Sequence, residues 1–302
     1  MSRPALPPLD DAARRELAAA VQLLEHPGLA VRLAHLAGAP VEKGLARLPA
    51  RAHALISTAT EKAVGLALKL ALTTMASGRG RGRGPGPGPV APADQDADTR
   101  THTGTGTRLP AAALPAASPR WHQAAVMATG AGAGFFGLPA LLLELPLTTT
   151  LMMRAIADVA RSEGADLGEE AVRLDCVGVL MLGGPGRGDD GSTLGYFAAR
   201  EAFAQVVAQA LGQFARHAAG AVAPPAVLRV IALVAERLGV QVTEKFALQA
   251  LPVLGAAGGA TLNLLFVQHF QAMARGHFVV RRLEQRHGVA AVRAAWREAG
   301  GH

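Results

Sequence analysis

Two long stretches without charge limit what this chain can fold into. Residues 124–143, AAVMATGAGAGFFGLPALLL, carry no charged side chain, and Glu144 is the only one between Arg120 and Arg154. Residues 250–267, ALPVLGAAGGATLNLLFV, are uncharged as well. Twenty helical residues span about 30 Å, the thickness of a bilayer core. Four glycines and Pro139 interrupt the first run, Pro146 follows it, and Pro252 stands near the start of the second. A broken helical pair fits this pattern better than one straight span. The runs are expected to form glycine-rich apolar hairpins that pack together or dip into a bilayer. The ordinary core of a soluble helical bundle is the competing expectation.

Composition sets the class around these runs. Half of the residues are hydrophobic, yet only 4% are aromatic. Ala and Leu dominate over β-branched residues, which argues against an all-β protein. The expected fold is all-α, a multi-helix bundle. The single cysteine, Cys176, excludes a disulfide scaffold or a Cys-based metal site within one chain. It is expected to be a small buried hydrophobe in a reducing compartment. The first twenty residues mix acids and bases where a secretory signal would be apolar, so none is expected.

The net charge of +7 is unevenly placed. Residues 78–120 hold six Arg and three Asp, and residues 269–302 hold six Arg and two Glu, so the remainder is nearly neutral. A nucleic-acid-binding face needs a dense basic surface with polar or aromatic readers, and no nucleic acid is expected. A basic end beside an anionic lipid surface fits better.

Residues 9–25 read as a helix capped by Asp10, with Leu17, Val21 and Leu24 at helical spacing. HPG at 26–28 breaks it, and short helices are expected through Leu48. A longer helix covers 50–75, with Leu55, Ala59, Ala63 and Leu66 near one face. Residues 76–118 alternate Gly, Pro and Arg with almost nothing to bury. They read as a disordered linker between an N-terminal helical segment, 1–75, and the main helical region, 119–302. RGRGRG within it fits a tether better than an RNA-binding tract. Helices are expected near 168–182, 194–218, 225–238 and 258–286, with a turn-rich loop at 183–193.

Gly132, Gly134 and Gly137 satisfy GxGxxG, with Asp158 about twenty residues on. No βαβ series surrounds them, and a packing face is the better reading. Gly130–Gly134 and Gly255–Gly259 are small-xxx-small pairs that let helix backbones approach closely. No P-loop lysine, HExxH or GxSxG occurs, and neither cofactor nor metal is expected. Two polar constellations remain. Glu144, Arg154 and Asp158 lie in or beside the most apolar segment, where charge needs a partner or water. Arg154 and Asp158 are i,i+4 and share a face. On the last helix Asn263, Phe270, His277 and Glu284 are seven apart, and Arg281 is four after His277. If Gly276 does not break the helix, all five lie on one stripe. Its tip is either a solvated helix end or a phosphate- and headgroup-reading surface.

The run TGAGAGFFGLPALLLELPLTTTLMMRAIADVA (129–160) resembles the central signature of EcsC-family proteins. KFALQALPVLGAAGGATLNLLFVQHFQAMARGHFVVRRLEQRHG (245–288) is the more specific match, and HPGLAVRLAHLAGAPVEKGLARLP and GYFAAREAF also fit. The family-like positions are Gly130, Gly134, Pro139, Pro146 and Arg154, then Pro252, Gly255, Asn263, Ala274, Gly276, His277, Arg281, Arg282 and Leu283. The resemblance implies a largely helical, mainly bacterial protein, named after a product encoded beside an ABC transporter involved in secretion. It implies no catalytic role for these positions.

The expected function is a non-catalytic accessory protein on the inner face of the cytoplasmic membrane. Its expected partners are the anionic lipid surface, a membrane transporter and further copies of itself. The basic C-terminal helix, with His277, Arg281, Arg282 and Glu284, is expected to face the headgroups. A hydrolase with a site near Glu144, Asp175 and His277 is the alternative from another class, and a soluble helical interaction protein is the third.

Overall fold

The computed structural model describes residues 7–25, 45–46, 48, 50–73, 141–182, 195–220, 222–249 and 255–300. The linker, Gly130, Gly134, the GxGxxG glycines and most of the short helices expected at 29–48 lie outside the described residues. What is described is all-helical. The elements are α1 (Asp11–Glu25), α2 (Ala50–Thr73), α3 (Leu141–Ser162) and α4 (Glu170–Gly178), the last ending in a 3-10 turn, Val179–Met181. They continue with α5 (Gly195–Ala210), α6 (Phe214–Ala218), α7 (Pro225–Gln249), α8 (Gly255–His287) and α9 (Val289–Glu298).

Local chemistry explains most of the boundaries. Asp10 caps α1, its Oδ1 accepting the Ala13 N–H at 2.7 Å. Gly212, at φ +81°, sits between α5 and α6 and divides the single helix expected over 194–218. Gly288, at φ +88°, separates α8 from α9, and its N–H donates to the Glu284 carbonyl at 2.9 Å. Pro146 does not end a helix. It stands in the second turn of α3, where a missing N–H removes one bond near the helix start. The helix expected at 225–238 runs on to Gln249, and α9 was not expected at all.

Helices α2 and α3 pack against each other, and α2 also packs on α7 and α4. Helix α8 lies against α1 and α3. Segments before and after the linker therefore share one core. Ile56, Ala59, Ala63, Val64 and Leu68 form the buried face of α2. Ala59 and Ala63 of the expected face are among these, but its two leucines are not, since Leu66 is 39% exposed and Leu55 only half-buried. Cys176 is buried as expected, and burial pushes its thiol pKa up.

No helix among the described residues is long and apolar enough to cross a membrane. The second uncharged run belongs in part to α8, where Leu262, Phe266 and Val267 are buried in the common core.

Gly276 leaves α8 unbroken and lets α1 approach it. A Cβ there would meet Leu24 Cγ at 2.7 Å. Gly276→Val is expected to destabilise the protein by about 1–3 kcal/mol through overpacking. Urea unfolding measures it, and an unchanged midpoint would contradict the close approach.

Candidate functional site

The seven-residue stripe on α8 is real. Asn263, Phe270, His277 and Glu284 are all buried, and Arg281 lies half-buried beside them. The stripe serves two separate polar clusters. Asn263 and His277 are fourteen residues apart, about 21 Å along a helix.

The first cluster is at the Asn263 end. Lys245 on α7, 0% exposed, donates from Nζ to Glu144 Oε1 at 3.1 Å. Asn263 Nδ2 donates to the same oxygen at 3.2 Å. The ammonium also sits 5.1 Å and 5.2 Å from the ring centroids of Phe246 and Phe266, within cation–π reach. Burial pulls the Lys245 pKa below 10.5, and the Glu144 carboxylate opposes that shift. Glu144 Oε2 and the hydroxyls of Thr148 and Thr149 are buried with no hydrogen-bond partner among the described residues. Arg154 and Asp158 do not join this cluster. Arg154 is exposed, and Asp158 accepts from Arg161 Nη1 at 2.9 Å.

The second cluster gathers around the last turns of α8. The Tyr196 hydroxyl lies 3.1 Å from His277 Nδ1. Arg200, one turn on in α5, grips Glu284 with two bonds, at 2.9 Å and 2.6 Å. Arg281 pairs with Asp175 of α4 at 2.8 Å. Arg282 pairs with Glu163, just past α3, at 3.0 Å and with Glu16 of α1 at 3.1 Å. Trp296 of α9 stacks on Tyr196 at 5.2 Å between centroids. Four elements are thus fastened to one end of α8 by charge-assisted bonds. Arg281 and Arg282 turn toward carboxylates of the protein itself, so they do not form the headgroup-facing tip expected from the sequence. The exposed arginines of this end are Arg275, Arg286, Arg293 and Arg297.

A cleft lies between α4, α5 and α8, lined by Asp175, Gly178, Leu182, Ala199, Arg200, Phe203 and His277. It has about 10 Å³ of room for a water-sized molecule, enough for roughly one water. His277 Nε2 is buried with no hydrogen-bond partner among the described residues. Burial, reinforced by the Arg200 and Arg281 charges, holds the His277 pKa well below 6.5, so the ring is neutral. Burial raises the Asp175 pKa, and Arg281 and Arg200 oppose it. A neutral imidazole and a carboxylate beside one water could move a proton, which is the chemistry a hydrolase would require. Of the three residues assigned to that alternative, Asp175 and His277 share the cleft and Glu144 does not. Among the described residues no group of three or more His, Cys, Asp and Glu side chains could hold a metal ion.

The folded His277 pKa lies below its unfolded value, so the stability it contributes is complete above about pH 6.5 and falls as pH drops. Asp175, with its pKa raised, acts in the opposite sense, its contribution falling as pH rises above about 3.9. His277→Gln is expected to lose less stability than the parent between pH 7.5 and 5.5. Urea unfolding at the two pH values reads the difference, and equal losses would contradict a buried neutral ring.

Lys245, Tyr196, Arg200, Glu16 and Glu163 were not singled out from sequence. A signal existed for Lys245. It is one of only four lysines and borders the second uncharged run, as Glu144 borders the first.

The model of the EcsC protein family matches residues 11–283 of the chain. No curated protein and no solved structure matched it.

Proposed function

The chain belongs to the EcsC protein family, and from that premise we propose that it is a non-catalytic accessory protein of the cytoplasmic membrane's inner face. It would associate with anionic lipid and serve a membrane system such as a transporter. The observation that carries the non-catalytic part is how the buried and half-buried charges are used. Glu144, Lys245, Arg200, Glu284, Arg281 and Asp175 are all engaged in bonds between helices. The cleft beside them has room for about one water. The excess of basic residues supports the membrane part, because an anionic leaflet attracts arginine at about 1 kcal/mol for each residue near the surface.

Co-sedimentation of the full chain with lipid vesicles tests the proposal. Binding to vesicles containing phosphatidylglycerol is expected, with none to phosphatidylcholine alone and weakening as salt rises. Failure to bind either would overturn it.

A hydrolase is favoured only by the shared cleft of Asp175 and His277. It requires that the protein cleave some ester, peptide or phosphate substrate and that His277→Ala abolish the cleavage while the fold persists. Background rates across such a screen would remove it.

A further inference from the structure

The expectation that the C-terminal basic helix meets the membrane loses Arg281 and Arg282 to internal ion pairs. A different surface carries the features a lipid interface selects. The three most exposed large apolar side chains among the described residues are Val222 (94%), Leu211 (59%) and Leu228 (51%). All three lie on one connection, running from the end of α5 through α6 to the first turn of α7. Singly scattered apolar residues need no explanation, but a cluster on one corner does.

Charge singles out the same corner. No Asp or Glu occurs from residue 202 to residue 235. The stretch holds Arg216 and Arg229, both exposed, and the half-buried His217. The corner is also held in shape. Phe214 and Ala210 are buried, and α6 packs on α2. Pro225 opens α7, and the Leu228 N–H bonds the Pro224 carbonyl at 3.0 Å. Arg229 Nη1 reaches Gln209 Oε1 of α5 at 3.5 Å, so the two legs of the connection stand side by side.

We propose that this α5–α6–α7 corner docks on an anionic lipid bilayer, with Leu211, Val222 and Leu228 entering the headgroup region and Arg216 and Arg229 meeting lipid phosphates. The assignment rests on the membrane association proposed above and names the surface responsible. An interfacial element combines apolar side chains with flanking cations. Carboxylates there would be repelled, and the corner has none of its own.

Vesicle co-sedimentation of full-length variants tests it, with circular dichroism confirming the helical fold of each. The vesicles contain phosphatidylglycerol and phosphatidylcholine. Leu211→Glu/Leu228→Glu is expected to weaken binding by at least about tenfold. Arg216→Ala/Arg229→Ala should weaken it by roughly fivefold for each arginine. Val289→Glu, at the exposed α8–α9 turn among the C-terminal arginines, should leave binding unchanged. If the parent binds and both corner variants bind equally well, the corner is overturned while membrane association stands. If the corner variants retain vesicle binding but lose self-association in sedimentation, the surface belongs to a second copy of the chain and the lipid assignment is overturned. A parent that binds no vesicles overturns both.

Discussion

Replacing Lys245 with methionine is expected to lower the free energy of unfolding by about 3–5 kcal/mol. The ammonium is fully buried, and its bonded partner is Glu144, whose side chain is itself only 4% exposed. Removing the cation leaves a carboxylate in the core with only Asn263 Nδ2 donating to it among the described residues. Methionine fills much the same volume, so the loss reports charge more than cavity. Glu144→Gln/Lys245→Met removes the carboxylate as well and should recover most of the stability. A buried pair is weak evidence for net stabilisation, but half of one is strongly destabilising. Urea unfolding of the parent, the single and the double variant completes the comparison. A single variant as stable as the parent would mean that Glu144 is not held in a dry core.

Arg200→Met is the second large effect, about 3–5 kcal/mol on the same principle. The Glu284 side chain is 5% exposed and is gripped by both terminal nitrogens of Arg200. Asp175 is nearby and would feel the lost cation too. Arg200→Lys should recover only part of the loss, because a point charge cannot reproduce the planar two-bond grip. Full rescue by lysine would show that charge alone, without the fork geometry, holds α5 to α8.

The positions of the helices were legible in the sequence where periodicity and caps agreed. Asp10 and the Leu17–Val21 spacing placed α1, and the seven-residue spacing of Asn263, Phe270, His277 and Glu284 placed one buried stripe on α8. Rotation about a helix axis was less legible. In α2 the run ARAHALISTATEKAVGLALKLALT offers apolar residues on more than one face. Packing against α3 and α7, not periodicity, turned Ile56 inward and left Leu66 outside. Partner identity was the least legible, since Glu144 and Lys245 are 101 residues apart. A lone carboxylate beside an uncharged run requires a cation, yet nothing local says which one. The same gap misled the reading of Arg281 and Arg282. Their sequence neighbours suggest a basic tip, and their actual neighbours are Asp175, Glu16 and Glu163. For Glu144, Asp175 and His277, the sequence supplied the residue types but not their separation: Glu144 bonds Asn263, about 21 Å along α8 from His277.

Membrane fractionation of the native protein tests the central claim most directly. Cell lysate is separated by ultracentrifugation at low salt, and the pellet is washed with high salt and then with alkaline carbonate. A surface-docked accessory protein is expected in the membrane pellet, released by the washes. Recovery wholly in the soluble fraction at low salt would contradict the account.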